Sequence, residues 1–188
     1  SGTIQPINPA AHVNRKIRDL KPSDETMEIV LDIDANTTDD LVKLGISVGD
    51  FVSLDPRTQV TESGYIKSRH LDDKASVAVL LTLASLTESE RLVPTRRVYI
   101  MFTTYEEVGH GGASGIPDDV EEMISVDMGA VGDDLQADER MVSICAKDSG
   151  GPYDYEVTGN LVEAAKECGA QYAVDIYPAY GSDVEATL

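Results

Sequence analysis

Basic residues are scarce in this sequence: 15 lysines and arginines stand against 34 aspartates and glutamates, a formal net charge of -19 over 188 residues. Such a surface repels polyanions, which removes nucleic acid from the leading partners. The bland reading of the acidity is a solvated exterior; the sharper one is that some carboxylates hold cations. Long apolar runs are missing too. None approaches the roughly 20 residues a membrane span needs, and no low-complexity tract or internal repeat occurs. A soluble globular chain without membrane contact is expected. The two cysteines, Cys145 and Cys168, form neither a CxxC pair nor the framework of a secreted disulfide protein, so a reducing cytoplasm is the expected location. No initiator methionine, signal peptide or transit sequence opens the chain. At the other end "GSDVEATL" starts like a helix, with Asp183 as N-cap, and stops after one turn. The sequence reads as an internal piece of a longer protein.

What is present falls into two rhythms. Residues 1–64 hold short apolar or alternating runs ("MEIVLDID", "FVSLD"), with "GYIKSR" at the boundary and one helix expected over 38–44, closed by Gly45. This predicts a small β-rich domain. Residues 65–188 alternate strand and helix: "SRHL", a helix over 74–86, "RRVYIMFTT", "MISVDM", "MVSICAK", a helix over 155–168, and "YAVDIYP". Several of these strands are continuous apolar runs, which predicts an α/β domain with a mostly parallel sheet and helices on both faces. The helix "KASVAVLLTLASL" is apolar nearly all round and is expected to be buried.

Ligands of such sheets gather at the carboxyl ends of the strands, and acids stand at three of them: Asp72 and Asp73 after "SRHL", Glu106 and Glu107 after "VYIMFTTY", and Asp127 after "MISV". Each has an ordinary explanation. The glutamates suit a wet loop, the aspartate pair suits a helix N-terminus, and Asp127 suits a turn before Gly129. If they converge, however, desolvation and mutual repulsion demand a cation or shared protons, and metal ions are the simplest compensation. An adjacent pair then divides the labour, one carboxylate holding the ion and its neighbour moving a proton.

Taken together, "SRHLDDKASVAVLL", "TTYEEVGHGGASG" and "SVDMGA" resemble the catalytic core of the tetrahedral aminopeptidase and glutamyl aminopeptidase family of dinuclear metallopeptidases, some of whose members carry endoglucanase or cellulase labels. The resemblance covers essentially the whole chain, the β-rich unit with "LGISVGDFV" resembling that family's inserted dimerisation domain. It implies two divalent ions, zinc or cobalt, with Asp72 shared by both, Glu107 on one, Asp127 on the other, and Glu106 as general base; Asp73 is then a supporting residue or a cap. It also implies peptide substrates cut at the N-terminal residue, and homo-oligomers from dimer to dodecamer.

Two further ligands implied by the family are histidines, and neither of their motifs is present. His12 lies in the β-rich part, His110 in the glycine loop, and His70 two positions before Asp72, where a strand would aim it toward the same side. A wall or packing role is the expectation for His70 and a loop-lining one for His110. With two protein ligands per ion instead of the usual three, residues 1–188 alone are expected to bind metal weakly and turn over little. Asp148 and Asp183, also after strands, suit turns and caps or the pocket wall. The run Gly109–Gly115 lacks both phosphate-loop spacings and reads as a loop allowing close backbone approach. A non-catalytic assembly homologue and a two-carboxylate glycosidase are the competing readings. Whether Lys67, Lys147 or another cation faces the pocket, and so which N-terminal residue is preferred, is open at this level.

Overall fold

The computed structural model describes residues 1–185, and the chain divides into two units, Ser1–Leu54 and a second beginning at Asp55.

In the first unit, strand β1 (Gly2–Pro6) pairs antiparallel with β2 (Met27–Leu31), Ile4 opposite Ile29. Helix α1 (Thr38–Lys43) follows. Its start is fixed by a capping box: the Thr37 hydroxyl accepts from the Asp40 amide while the Asp40 carboxylate accepts from the Thr37 amide. No residue of this unit is buried, and Ile4, Ile29 and Val30 stay between 41 and 48 % exposed. An isolated two-stranded hairpin is marginal in water, so this unit has little cohesion of its own. "FVSLD" forms no strand.

The second unit opens with a short antiparallel pair, β3 (Gln59–Val60) against β4 (Ile66–Lys67). Helix α2 (Leu71–Glu88) then begins irregularly: Asp72 and Asp73 have non-helical backbone angles, and their shared peptide is cis. "SRHL" is accordingly a bend and a helix start, not a strand. His70 takes left-handed φ of 61°, a conformation histidine enters more readily than most side chains. Ser76 is the one buried residue of α2, while Val79 and Leu81 are 61 and 56 % exposed. The expected burial all round is thus not met. Asp73, Ser76, Val77, Leu80 and Leu83, which share one side of the helix, form its more covered face.

A βαβ unit supplies the core. Strand β5 (Val142–Lys147) runs parallel to β6 (Tyr172–Ile176), with Ile144 beside Val174, and helix α3 (Tyr155–Glu167) connects them. Ile144, Ala165, Ala173, Tyr177 and Ala137 are buried here. Asp154 caps α3, accepting from the amides of Glu156 and Val157 at 2.9 Å each. We expect Asp154→Ala to cost about 1 kcal/mol, read as a lower denaturant midpoint with unchanged slope.

The architecture is therefore mixed α/β with one parallel pair among the described residues, less than the extended parallel sheet expected. "RRVYIMFTT" and "MISVDM" run without ladder partners. Their side chains Val98, Tyr99, Phe102, Ile124, Val126 and Met128 remain 39 to 56 % exposed. Apolar patterning sets extended backbone, but a strand exists only where a second strand accepts its hydrogen bonds. Among the described residues no helix is long and apolar enough to cross a membrane.

Candidate metal centre

The acids distant in sequence meet in the second unit. A cavity of about 510 Å³ is lined by Asp72, Glu106, Glu107, Asp127 and Glu185, together with Gly109, Met128, Ala179, Tyr180, Gly181 and Ser182; among the described residues no lysine, arginine or histidine is on its wall. Asp72 is brought there by the irregular first turn of α2, Glu106 and Glu107 by a single 3-10 turn (Glu106–Val108) ended by left-handed Gly109 at φ 84°, and Asp127 by the extended segment before Gly129.

Oxygen atoms of Asp72, Asp73 and Asp127 lie within 4.8 Å of one another, a spacing at which one cation can be held. Asp72 is exposed, Asp73 and Asp127 half-buried. The Asp127 carboxylate is oriented at both oxygens, Oδ2 accepting from the Tyr180 hydroxyl at 2.5 Å and Oδ1 from the Met128 amide at 2.6 Å. Glu107 stands on the cavity wall, exposed, and outside this close trio.

The electrostatics are those of a site short of positive charge. Burial, with Asp127, Asp183, Glu107 and Asp72 nearby, pushes the Glu106 carboxyl up to about 6. Asp73 is raised as well, chiefly by burial and then by Asp127 and Asp72, partly offset by its bonds to Ser76. Its Oδ1 is buried without a hydrogen-bond partner. Burial and the bond to Asp127 also raise the Tyr180 phenol, which therefore stays protonated and donating. An orphaned carboxylate oxygen among converging acids fits a hard or borderline divalent cation bound through oxygen. A cation there offsets the repulsion and draws Glu106 back toward the ordinary carboxylate range.

The histidines stand apart from the close trio of oxygens: His70 is exposed at the head of α2, and the His110 ring stacks on Tyr105 with centroids 4.9 Å apart. Asp148 is 1 % exposed and internally satisfied, accepting from the Tyr153 hydroxyl at 2.5 Å and the Gly150 amide at 2.9 Å; it builds the turn after β5. Asp183 accepts from the Thr103 hydroxyl at 2.6 Å and the Gly112 amide at 2.8 Å. The helix start expected at Asp183 falls partly on residues outside the described ones. Tyr180 is the site residue sequence reasoning missed. Nothing in "IYPAYGS" separates its tyrosines from packing aromatics; only the fold turns one hydroxyl toward Asp127.

A family model described as M42 glutamyl aminopeptidase matches residues 1–188. A protein of Bacillus subtilis (strain 168), which carries the provisional name aminopeptidase YhfE, is 45 % identical over 188 residues, all of this chain and 54 % of that protein. The chain thus spans about half the length of the curated relative it matches.

Proposed function

Because the chain belongs to the M42 glutamyl aminopeptidase family, we propose that the protein carrying it is a metal-dependent aminopeptidase, with Glu106 as general base and Asp72, Glu107 and Asp127 as metal-holding residues. The observation that carries this reading is the convergence of Asp72, Glu106, Glu107 and Asp127 on one cavity wall free of basic residues, with a buried oxygen of Asp73 left unpaired. When bound, a divalent ion, zinc or cobalt, supplies a Lewis acid that stabilises developing negative charge and acidifies water.

The chain's own residues do the rest. The Glu106 carboxylate takes the proton of the water that attacks the first peptide carbonyl, and returns it to the departing amine. With a cation bound beside it, Glu106 is drawn back toward the ordinary carboxylate range and stands ionised, ready to accept that proton. Tyr180 holds Asp127 in one orientation, so that this carboxylate need not reorganise when its ion binds. Acid side chains at the rim attract the free α-ammonium of a peptide, and an N-blocked peptide lacks that attraction.

The finer architecture belongs to the same proposal: a catalytic α/β domain in which 96–104 and 123–128 join a larger parallel sheet, a β-rich inserted domain over 1–64, homo-oligomers, and a cytoplasmic setting. The residues here supply few donors per ion, so the rest of the polypeptide completes each shell and residues 1–188 alone turn over little. The test is substrate choice by the full-length protein. Release of chromophore from aminoacyl anilides, with no cleavage of their N-acetylated forms, supports the reading; hydrolysis of a β-glucan in place of the anilides overturns it in favour of a glycosidase.

A further inference from the structure

The segment leaving the carboxyl end of β6 makes four unlike attachments within five residues. Tyr180 donates to Asp127 at 2.5 Å, the Ser182 hydroxyl pairs with Tyr153 at 2.9 Å, Asp183 accepts from Thr103 and Gly112, and the Val184 amide donates to Ser125 at 3.3 Å. The Ser149 hydroxyl and amide both donate to the Tyr180 carbonyl, at 2.5 and 3.0 Å, fixing the segment to the turn after β5. Buried Tyr177 braces the Tyr180 ring edge-on, centroids 5.5 Å apart. Residues 177–184 are therefore a strap across the cavity's edge.

Within the strap Asp183 has the unusual position. It is 9 % exposed, and among the described residues no basic side chain pairs with it. Burying a carboxylate without a counter-charge is unfavourable, and it is tolerated where strong donors are aimed at it. Here the donors bracket the glutamate pair: Thr103 lies three positions before Glu106, and Gly112 five after Glu107. Contact is close enough that a β-carbon on Gly111 would sit 2.5 Å from an Asp183 oxygen and 2.7 Å from the Thr103 hydroxyl, so glycine is required there by space.

The geometry points to Asp183 as a positioning residue for the general base: by clamping both stems of the loop 103–112, it sets where the Glu106 carboxylate stands. The inference rests on the aminopeptidase reading above. Its loss displaces the base without removing any metal-holding group, and a displacement of about 1 Å costs about 100-fold in rate.

In the full-length protein at saturating zinc, Asp183→Ala is expected to lower kcat by about 100-fold while KM stays at its wild-type value. Asp183→Asn keeps an acceptor for the Gly112 amide and a polar partner for Thr103, and is expected to recover most of the rate; Thr103→Val, nearly isosteric, is expected to lose part of it and Thr103→Ser to restore it. Amide hydrogen exchange over 103–115 is expected to rise in Asp183→Ala. Wild-type kcat in Asp183→Ala, or a kcat loss that Asp183→Asn and Thr103→Ser leave unrepaired, overturns the assignment, as does unchanged exchange in the loop. The exchange result is independent of turnover, so a wild-type protein inactive on aminoacyl anilides overturns the function while the clamp is still read directly.

Discussion

Glu106→Gln is expected to lower kcat of the full-length protein by about 1,000-fold, within the range that removal of a positioned acid or base produces. Glutamine keeps the shape of the side chain and its place in the 3-10 turn, yet has no oxygen basic enough to take a proton from water. The same change removes a negative charge from a wall that carries four other acids and no base, so the fold is not weakened by it. KM and metal content are therefore expected to stay at wild-type values, which separates a lost proton acceptor from a lost ligand. Glu107→Gln is the control, because Glu107 is itself assigned to a cation and its substitution is expected to lower zinc affinity along with rate. Retention of more than a tenth of wild-type kcat by Glu106→Gln would remove Glu106 from the role of base.

The second large effect concerns the ions themselves. Asp72→Asn is expected to weaken zinc binding by about 100-fold or more, since even partners one layer outside a ligand shell contribute 10- to 100-fold. The observation behind the expectation is the close trio of Asp72, Asp73 and Asp127 oxygens, with a buried unpaired atom on Asp73. Zinc that binds the folded form alone adds about 2.7 kcal/mol at a hundredfold excess over Kd, so the wild-type melting temperature rises with added zinc and falls on chelation. In Asp72→Asn that rise disappears, and with it activity. A zinc-dependent melting shift that survives the substitution would place the cation elsewhere.

How far the sequence could be read varies from element to element, and the reason is reach. Helices α1 and α3 follow from neighbours along the chain: the Thr37–Asp40 box and the Asp154 cap act over three residues, and local patterning captures that. Strands β5 and β6 also follow, because a helix of suitable length lies between two apolar runs. "RRVYIMFTT" and "MISVDM" show where pattern stops. Their extended, apolar character is legible, but whether a strand lies alongside depends on residues that no local window contains. Burial of α2 fails for the same reason: an apolar circumference states a demand for cover, and the cover is supplied or withheld by other elements.

The site divides along the same line. Asp72, Glu106, Glu107 and Asp127 stand out as acids at abrupt changes of pattern, and they meet on one cavity wall. Tyr180 and the clamp by Asp183 do not stand out, since their partners are 53 to 80 positions away. Asp148, equally conspicuous as an acid after a strand, is fully occupied by its own turn and Tyr153.

The strap over 177–184 also orders events in time. Ribosomes release the chain from its amino end, so Asp72, the glutamate pair and Asp127 emerge well before the segment whose side chains hold them. Contacts spanning 53 to 80 residues are slow to form compared with helix caps. The nascent polypeptide thus carries its acids in unset loops until synthesis passes Asp183.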